Sequence, residues 1–493
     1  MITIDLQNLN VTSKELDILK NLAFHLNNSE AVGIVGESGS GKSMFVRSLI
    51  GLLPIQTSVS GTYRIDNKEI SLNAKEKQWR TIRGKDIGMI MQDPFTALDP
   101  AVLCGKQILV GVPKNQRRHF DLTAALTEVG LPTYITKRYP TQLSGGQRQR
   151  VVIAAALATK PRLLVADEAT TALDVITQKE ILDLICNIQT QRNMPLILIT
   201  HNILLAKQRT KRIFVLEQGK IVEQGNTTDV LTAPKQKATK KLLDAHHLLL
   251  DAPYATGATR EKVILCCKML SKRFGQTQAL NNVDITVDVG ECVGIVGESG
   301  SGKTTLGRCI VGLTKPDFGF VNYFGTHSPQ MIFQDPYNSL NPAHTIRYML
   351  EEALTAAGRA KSELEEIITL AEIPTELLQR KPAGLSGGQR QRVAIARALA
   401  PRPDLMICDE SVSALDVKVQ NQILHMIQKL RKKQNLAVLF ITHDLAVLKM
   451  IAGRVYVMHQ AKIVEHNVTK QILENAQHPY TQKLIAASEI GVS

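Results

Sequence analysis

Short, wholly apolar runs set between stretches of helical periodicity outline this chain. "AVGIVG" (Ala31–Gly36) has no polar position to face solvent and ends in glycine, which predicts a short strand covered on both faces. A helix is predicted from about Lys42. "RLLVADE" (Arg162–Glu168), after Pro161, is a second apolar strand that runs into two carboxylates, and "PLILITH" (Pro195–His201) is a third. Between these two, "VITQKEILDLICNIQ" spaces its apolar residues along one helical face. Strands alternating with helices predict an α/β fold around parallel strands. From Gln92 to the glycine-rich phrase at Leu143 the pattern turns mostly helical, which predicts an inserted helical subdomain.

The pattern then repeats. "VGIVGESGSGK" at Val32–Lys42 recurs at Val293–Lys303, an offset of 261. "LSGGQRQRV" at Leu143–Val151 recurs letter for letter at Leu385–Val393, an offset of 242 that also relates Gln92 to Gln334, Asp167 to Asp409 and His201 to His443. The two halves therefore share one layout, and the second is 19 residues shorter (261 less 242) between its first motif and its Gln. Two domains are expected over 1–250 and 263–493. The linker 251–262, "DAPYATGATREK", carries Pro, Gly and small polar residues.

Composition narrows the class. Apolar content of 44% suits a globular protein, and no run approaches 18 consecutive apolar residues, so no transmembrane segment is expected. The start, "MITIDLQNLN", lacks the basic and apolar regions of a signal peptide. Seven scattered cysteines show no disulfide framework or metal-ligand spacing, and Cys408 is read as a core residue. The net charge of +14 is read first as a solvated basic surface, with anionic lipid or nucleic acid as the lesser alternatives, and no nucleic-acid partner is expected.

The chemistry lies in the repeated phrases. Gly36-Glu37-Ser38-Gly39-Ser40-Gly41-Lys42-Ser43 and Gly297-Glu298-Ser299-Gly300-Ser301-Gly302-Lys303-Thr304 both satisfy G-x-x-x-x-G-K-[ST]. Glycines at these positions let consecutive N–H groups turn toward phosphate oxygens, the Lys reaches the β/γ-phosphates, and Ser43 or Thr304 ligates Mg²⁺. Asp167 and Asp409, at strand ends, suit a Mg²⁺ site, and the adjacent Glu168 and Glu410 suit orienting and deprotonating a water. His201 and His443 each end a strand and are candidate γ-phosphate contacts. Gln92 and Gln334, each in "QDP", are candidate ligands to Mg²⁺ or its water.

In this order and twice over, these motifs resemble those of the ATP-binding-cassette ATPases: Walker A, Q-loop Gln, "LSGGQ" signature, Walker B with its Glu, the "ALD" of the D-loop (Ala172–Asp174 and Ala414–Asp416), and the switch His. The resemblance implies two tandem P-loop NTPase domains. Each would have a mainly parallel sheet core, a β subdomain and an inserted helical subdomain. It also implies that ATP lies between the Walker A of one half and the signature of the other. Ser386, Gly387, Gly388 and Gln389 would then act on the ATP at Lys42, and Ser144, Gly145, Gly146 and Gln147 on the ATP at Lys303. A finer resemblance, to the fused ATPase subunits of peptide and nickel importers, rests on "MIMQDPFTALDP", "MIFQDPYNSLNP" and "HPYTQKLIAA" (His478–Ala487). It implies two membrane permease subunits, a soluble substrate-binding protein, and a peripheral place on the cytoplasmic face of the cell membrane. The solute would be a peptide, nickel or a metal chelate.

Some positions depart from the family pattern. Phe274, 23 residues before Gly297, fits the aromatic on which the family stacks adenine, whereas no aromatic precedes Phe24 in the first half. Asn202 follows the first switch His where Asp444 follows the second. The 19 absent residues are expected to remove part of the second β region. The alternative reading is a soluble tandem cassette ATPase acting on ribosomes. The charge favours it, and the short, charge-poor linker does not.

Overall fold

Three strands in each half bury every residue or nearly so: Ala31–Val35, Leu163–Asp167 and Leu196–Thr200, then Cys292–Gly297, Leu405–Asp409 and Ala437–Ile441. Side chains hidden on both faces of a strand require a sheet with helices on either side, and the computed structural model has two such sheets. It describes residues 2–13, 16–27, 29–170, 173–255, 262–334, 339–413 and 415–488. The D-loop alanines Ala172 and Ala414, the linker residues 256–261 and the 335–338 part of the second Q-loop phrase lie outside the described residues. The chain divides into two compact units, Met1–His246 and His247–Ser493, except that Asp174–Ile176 group with the second.

In the first unit a six-stranded sheet runs in the order Lys220–Asn226, Arg212–Glu217, Ala31–Val35, Leu196–Thr200, Leu163–Asp167, Ile87–Ile90. All neighbours are parallel except the first pair. The second unit repeats it as Lys462–Val468, Arg454–His459, Cys292–Gly297, Ala437–Ile441, Leu405–Asp409, Gln330–Ile332. Short helices follow Gln92 (Pro94–Ala97, Cys104–Ile108 and Leu122–Glu128) before the longer Gly145–Leu157, as the helical pattern predicts. Cys408 is fully buried, and all seven cysteines are free thiols.

The second, antiparallel sheet is where the units differ. The first unit has four strands there, in the order Leu16–Leu26, Ile4–Ser13, Thr57–Ile65, Lys68–Ile70, whereas the second has three, Thr277–Asp288, Val263–Phe274 and Phe318–Tyr323. The 19-residue shortfall falls here, and it removes the edge strand Lys68–Ile70 and the helix Glu76–Ile82. In the first unit that helix carries Trp79, buried beside Tyr63 and packed so closely on Gly51 that a Cβ there would lie 2.2 Å from the indole. Among the described residues no helix is long and apolar enough to cross a membrane.

Candidate functional site

The candidate residues of each unit converge because four neighbouring parallel strands deliver them at their carboxyl ends, where open α/β sheets bind ligands. In the first unit Ala31–Val35 leads into the phosphate loop, Leu196–Thr200 into His201, Leu163–Asp167 into Glu168, and Ile87–Ile90 toward Gln92. The second unit delivers its loop, His443, Glu410 and Gln334 from the matching strands.

Each loop ends in a glycine that only glycine suits. Gly41 and Gly302 sit at φ 105° and 106°, in the left-handed region, at the entrance of the helices Lys42–Leu49 and Lys303–Ile310. A Cβ would meet Leu19 Cδ2 at 2.7 Å in the first and Ala279 O at 2.2 Å in the second. No side chain caps either helix, so its first N–H groups are left for an anion. Both lysines are buried and fold back on their own loop. Lys42 Nζ donates to Gly36 O at 2.7 Å and Glu37 O at 3.0 Å, and Lys303 Nζ to Gly297 O at 2.8 Å and Glu298 O at 2.7 Å. Burial, opposed by Glu410 and Asp409, draws the Lys303 pKa below its ordinary value.

The carboxylates beside the lysines divide in character. Asp167 and Asp409 are buried, and one oxygen of each (Oδ1) has no hydrogen-bond partner, as do the buried hydroxyls of Ser40 and Ser301. Desolvation pushes both aspartates up to about 6, with the adjacent glutamate adding to the effect and, at Asp409, a hydrogen bond with Thr304 opposing it. Glu168 and Glu410 leave the strand at φ 46° and 45°, a left-handed conformation costly for a side-chain-bearing residue and fixed here by N–H donation to Ile199 O and Ile441 O. The turn points each carboxylate at two groups. Gln92 Nε2 donates to Glu168 at 2.9 Å, and His201 Nδ1 lies 3.5 Å from its other oxygen. Gln334 Nε2 donates to Glu410 at 2.7 Å, and His443 Nδ1 lies 3.7 Å away. Burial alone would raise Glu410, but His443 outweighs it and holds the carboxyl below its ordinary value, while Glu410 and Asp444 raise His443 against its own burial.

The signature residues have a local explanation as well as a ligand-binding one. Ser144 caps the helix Gly145–Leu157 in a reciprocal box: its hydroxyl accepts from Gln147 N at 3.3 Å, and its N–H donates to Gln147 Oε1 at 3.1 Å. Ser386 and Gln389 repeat this at 3.3 and 2.9 Å on Gly387–Leu399. The second signature glycine answers to packing, since a Cβ on Gly146 would lie 2.6 Å from Thr177 Cγ2 and one on Gly388 2.3 Å from Val419 Cγ1. The S-x-x-Q spacing and the helical run behind it carry that signal.

Asn202 is less of a departure than its identity suggests. It caps Ile203–Arg209 by accepting from Leu204 and Leu205 N–H, as Asp444 caps Leu445–Ile451 through Ala446 and Val447. What differs is the charge beside the histidine. Phe274 ends the strand Val263–Phe274 half-exposed, with Lys272 Nζ 5.5 Å from its ring centre, and Ser13 ends the matching strand Ile4–Ser13. One residue of consequence escaped the motif reading. Tyr480, read only as part of "HPYTQKLIAA", reaches the second phosphate loop.

The ABC transporter family profile matches residues 19–171 and 280–413, more than half of the chain. This chain is an ABC transporter ATPase. The profile of the oligopeptide/dipeptide transporter C-terminal region matches residues 464–490. Over 95% of its length the ABC ATPase is 38% identical to the peptidoglycan transport ATP-binding protein YejF of Agrobacterium fabrum, covering 92% of that protein. It is 36% identical to the glutathione import ATP-binding protein GsiA of Escherichia coli K12, over 98% of this chain and 88% of the relative. A solved structure titled RNase-L Inhibitor superposes with TM-score 0.63 at 20% identity, covering 96% of this chain and 94% of that one, a likeness of fold alone. As a member of this family the ABC ATPase binds and hydrolyses ATP.

Proposed function

We propose that the chain is the energy-coupling ATPase subunit of a membrane importer for short peptides or peptide conjugates. The observation that carries the catalytic part is the arrangement found in both units: a strand-end glutamate held by a Gln amide and a His ring, beside a buried loop lysine. Glu168 and Glu410 act as general bases toward water, His201 and His443 contact the γ-phosphate, and Lys42 and Lys303 hold the phosphates. Phe274 stacks on adenine in the second unit. The residues present fit Mg²⁺: the unpartnered Oδ1 of Asp167 and of Asp409 are hard oxygen donors, with Ser43, Thr304, Gln92 and Gln334 from the same strand ends. When bound, the ion neutralises charge on the phosphates.

The substrate class is supported by the oligopeptide/dipeptide C-terminal match and by relatives named for glutathione, a tripeptide, and for peptidoglycan. Such a role requires two permease subunits and a substrate-binding protein, and it places the chain peripherally on the cytoplasmic face of the membrane. The test is reconstitution with the cognate permease in proteoliposomes, following MgATP turnover. Stimulation by short peptides is expected. Stimulation by nickel or a metal chelate but not by peptides overturns the substrate class. Co-sedimentation with ribosomes rather than membranes overturns the transport reading altogether.

A further inference from the structure

After the last strand of each unit the chain repeats one small anchor. Glu465 accepts the N–H groups of Gln477 at 2.8 Å and His478 at 3.1 Å, opening the helix Pro479–Ala487. At the offset of 242, Glu223 accepts those of Lys235 at 2.8 Å and Gln236 at 3.1 Å, just before the helix Lys237–Leu250. "QHPYT" and "KQKAT" are therefore equivalent segments, docked alike in each unit.

They differ in what they present to the phosphate loop. In the second unit Tyr480, 8% exposed, turns its hydroxyl to accept the Glu298 N–H at 2.7 Å. Its ring stacks on His459 with centroids 3.9 Å apart and planes 18° from parallel, and His459 Nδ1 lies 2.8 Å from the Glu298 carboxylate. The carbonyl of Glu298 accepts Lys303 Nζ at 2.7 Å. The second residue of the loop is thus held through its N–H and its C=O, with the His459 ring beside its carboxylate. The equivalent positions in the first unit are Ala238 and Glu217, which offer neither phenol nor imidazole. Burial, then the Glu298 carboxylate, pushes the phenol pKa up, so the hydroxyl keeps its proton.

We propose that Tyr480, braced by His459, is a positioning residue that holds the second phosphate loop in its nucleotide-ready form and so raises the affinity of that loop for MgATP. A loop with glycines at 297, 300 and 302 has much conformational freedom to lose on binding, and a fixed acceptor at Glu298 removes part of that loss beforehand. Nothing equivalent is supplied by Ala238.

The inference rests on reading the Lys303 loop as an ATP site, and the experiment separates the two. In the nucleotide-free full chain, Tyr480→Phe keeps the ring and removes the acceptor. Hydrogen exchange at the Glu298 amide is expected to quicken about fivefold, the size of one ordinary hydrogen bond, while the Leu484 amide of the same helix stays as it was. In a Lys42→Ala background, where only the second loop keeps its lysine, Tyr480→Phe is expected to raise the Kd for MgATP about fivefold. In a Lys303→Ala background it leaves the Kd unchanged. Unchanged exchange at Glu298, equal acceleration at Leu484, or equal loss in both backgrounds overturns the proposal. If the Lys42→Ala chain binds no nucleotide, the ATP-site reading fails instead, and the exchange measurement alone decides for or against Tyr480.

Discussion

The two units match around the strand-end glutamate and the loop lysine and differ in the residues around them. The Gln-to-Glu bonds are 2.9 and 2.7 Å, the His-to-Glu separations 3.5 and 3.7 Å, and both lysines fold onto the same two loop carbonyls. Around this shared centre the second unit adds Phe274, Tyr480, His459 and Asp444, and the first has Ser13, Ala238, Glu217 and Asn202. If the proposed roles hold, the groups assigned to the hydrolytic step keep the same distances in both units, and the residues that vary are those with no part in bond-making geometry.

The largest effect tests the shared part. Glu168→Gln with Glu410→Gln removes both proposed general bases while keeping the side-chain shape, and MgATP turnover is expected to fall about 10²–10³-fold with nucleotide binding intact. Turnover at the wild-type rate rejects the assignment. Each single change sharpens the comparison: equal losses follow from equal chemistry, and unequal losses mean that the holding groups also set which site turns over. Next in size, Gly388→Ala forces a Cβ to within 2.3 Å of Val419 Cγ1 and is expected to destabilise the second unit by about 1–3 kcal/mol in thermal unfolding. Gly146→Ala meets Thr177 Cγ2 at the longer distance of 2.6 Å and is expected to cost less. Equal, small effects would assign both glycines to ligand approach alone.

Much of this was legible before any coordinates. Strands such as Leu196–Thr200 announced themselves because a run buried on both faces is apolar up to its last residue, and the two offsets, 261 at the phosphate loop and 242 from Gln92 onward, carried the motifs from one half to the other. The strand predicted over Arg162–Glu168 ends at Asp167, because Glu168 turns into the left-handed region that aims its carboxylate. What stayed hidden depends on contacts between distant segments. Tyr480 lies 182 residues beyond Glu298 in the chain, and no local pattern joins them. The capping work of Gln147 is masked by a motif that already explains it, and Asn202 departs from Asp444 in identity while its amide oxygen accepts the same cap hydrogen bonds.

Smaller predictions probe the holding groups. If Phe274 stacks on adenine, Phe274→Ala is expected to weaken MgATP binding in the Lys42→Ala background about three- to tenfold, and Ser13→Phe to strengthen it in the Lys303→Ala background. Loss at Phe274 without gain at Ser13 would mean that the first loop lacks more than a platform.

The smallest concerns the residue after the switch histidine. Glu410 and then Asp444 raise the His443 pKa above its ordinary value of 6.5, against its burial. A histidine raised in this way stabilises the fold fully below about pH 6.5, its unfolded value, and loses that contribution as pH rises through the folded value. Asp444→Asn keeps the helix cap, as Asn202 shows, but removes one negative charge. The His443 midpoint, followed by NMR on ring-labelled histidine, is then expected to fall. The loss of its stabilising contribution should move to lower pH with it. An unmoved midpoint would leave Glu410 as the sole source of the shift and reduce the Asn202/Asp444 difference to two equivalent caps.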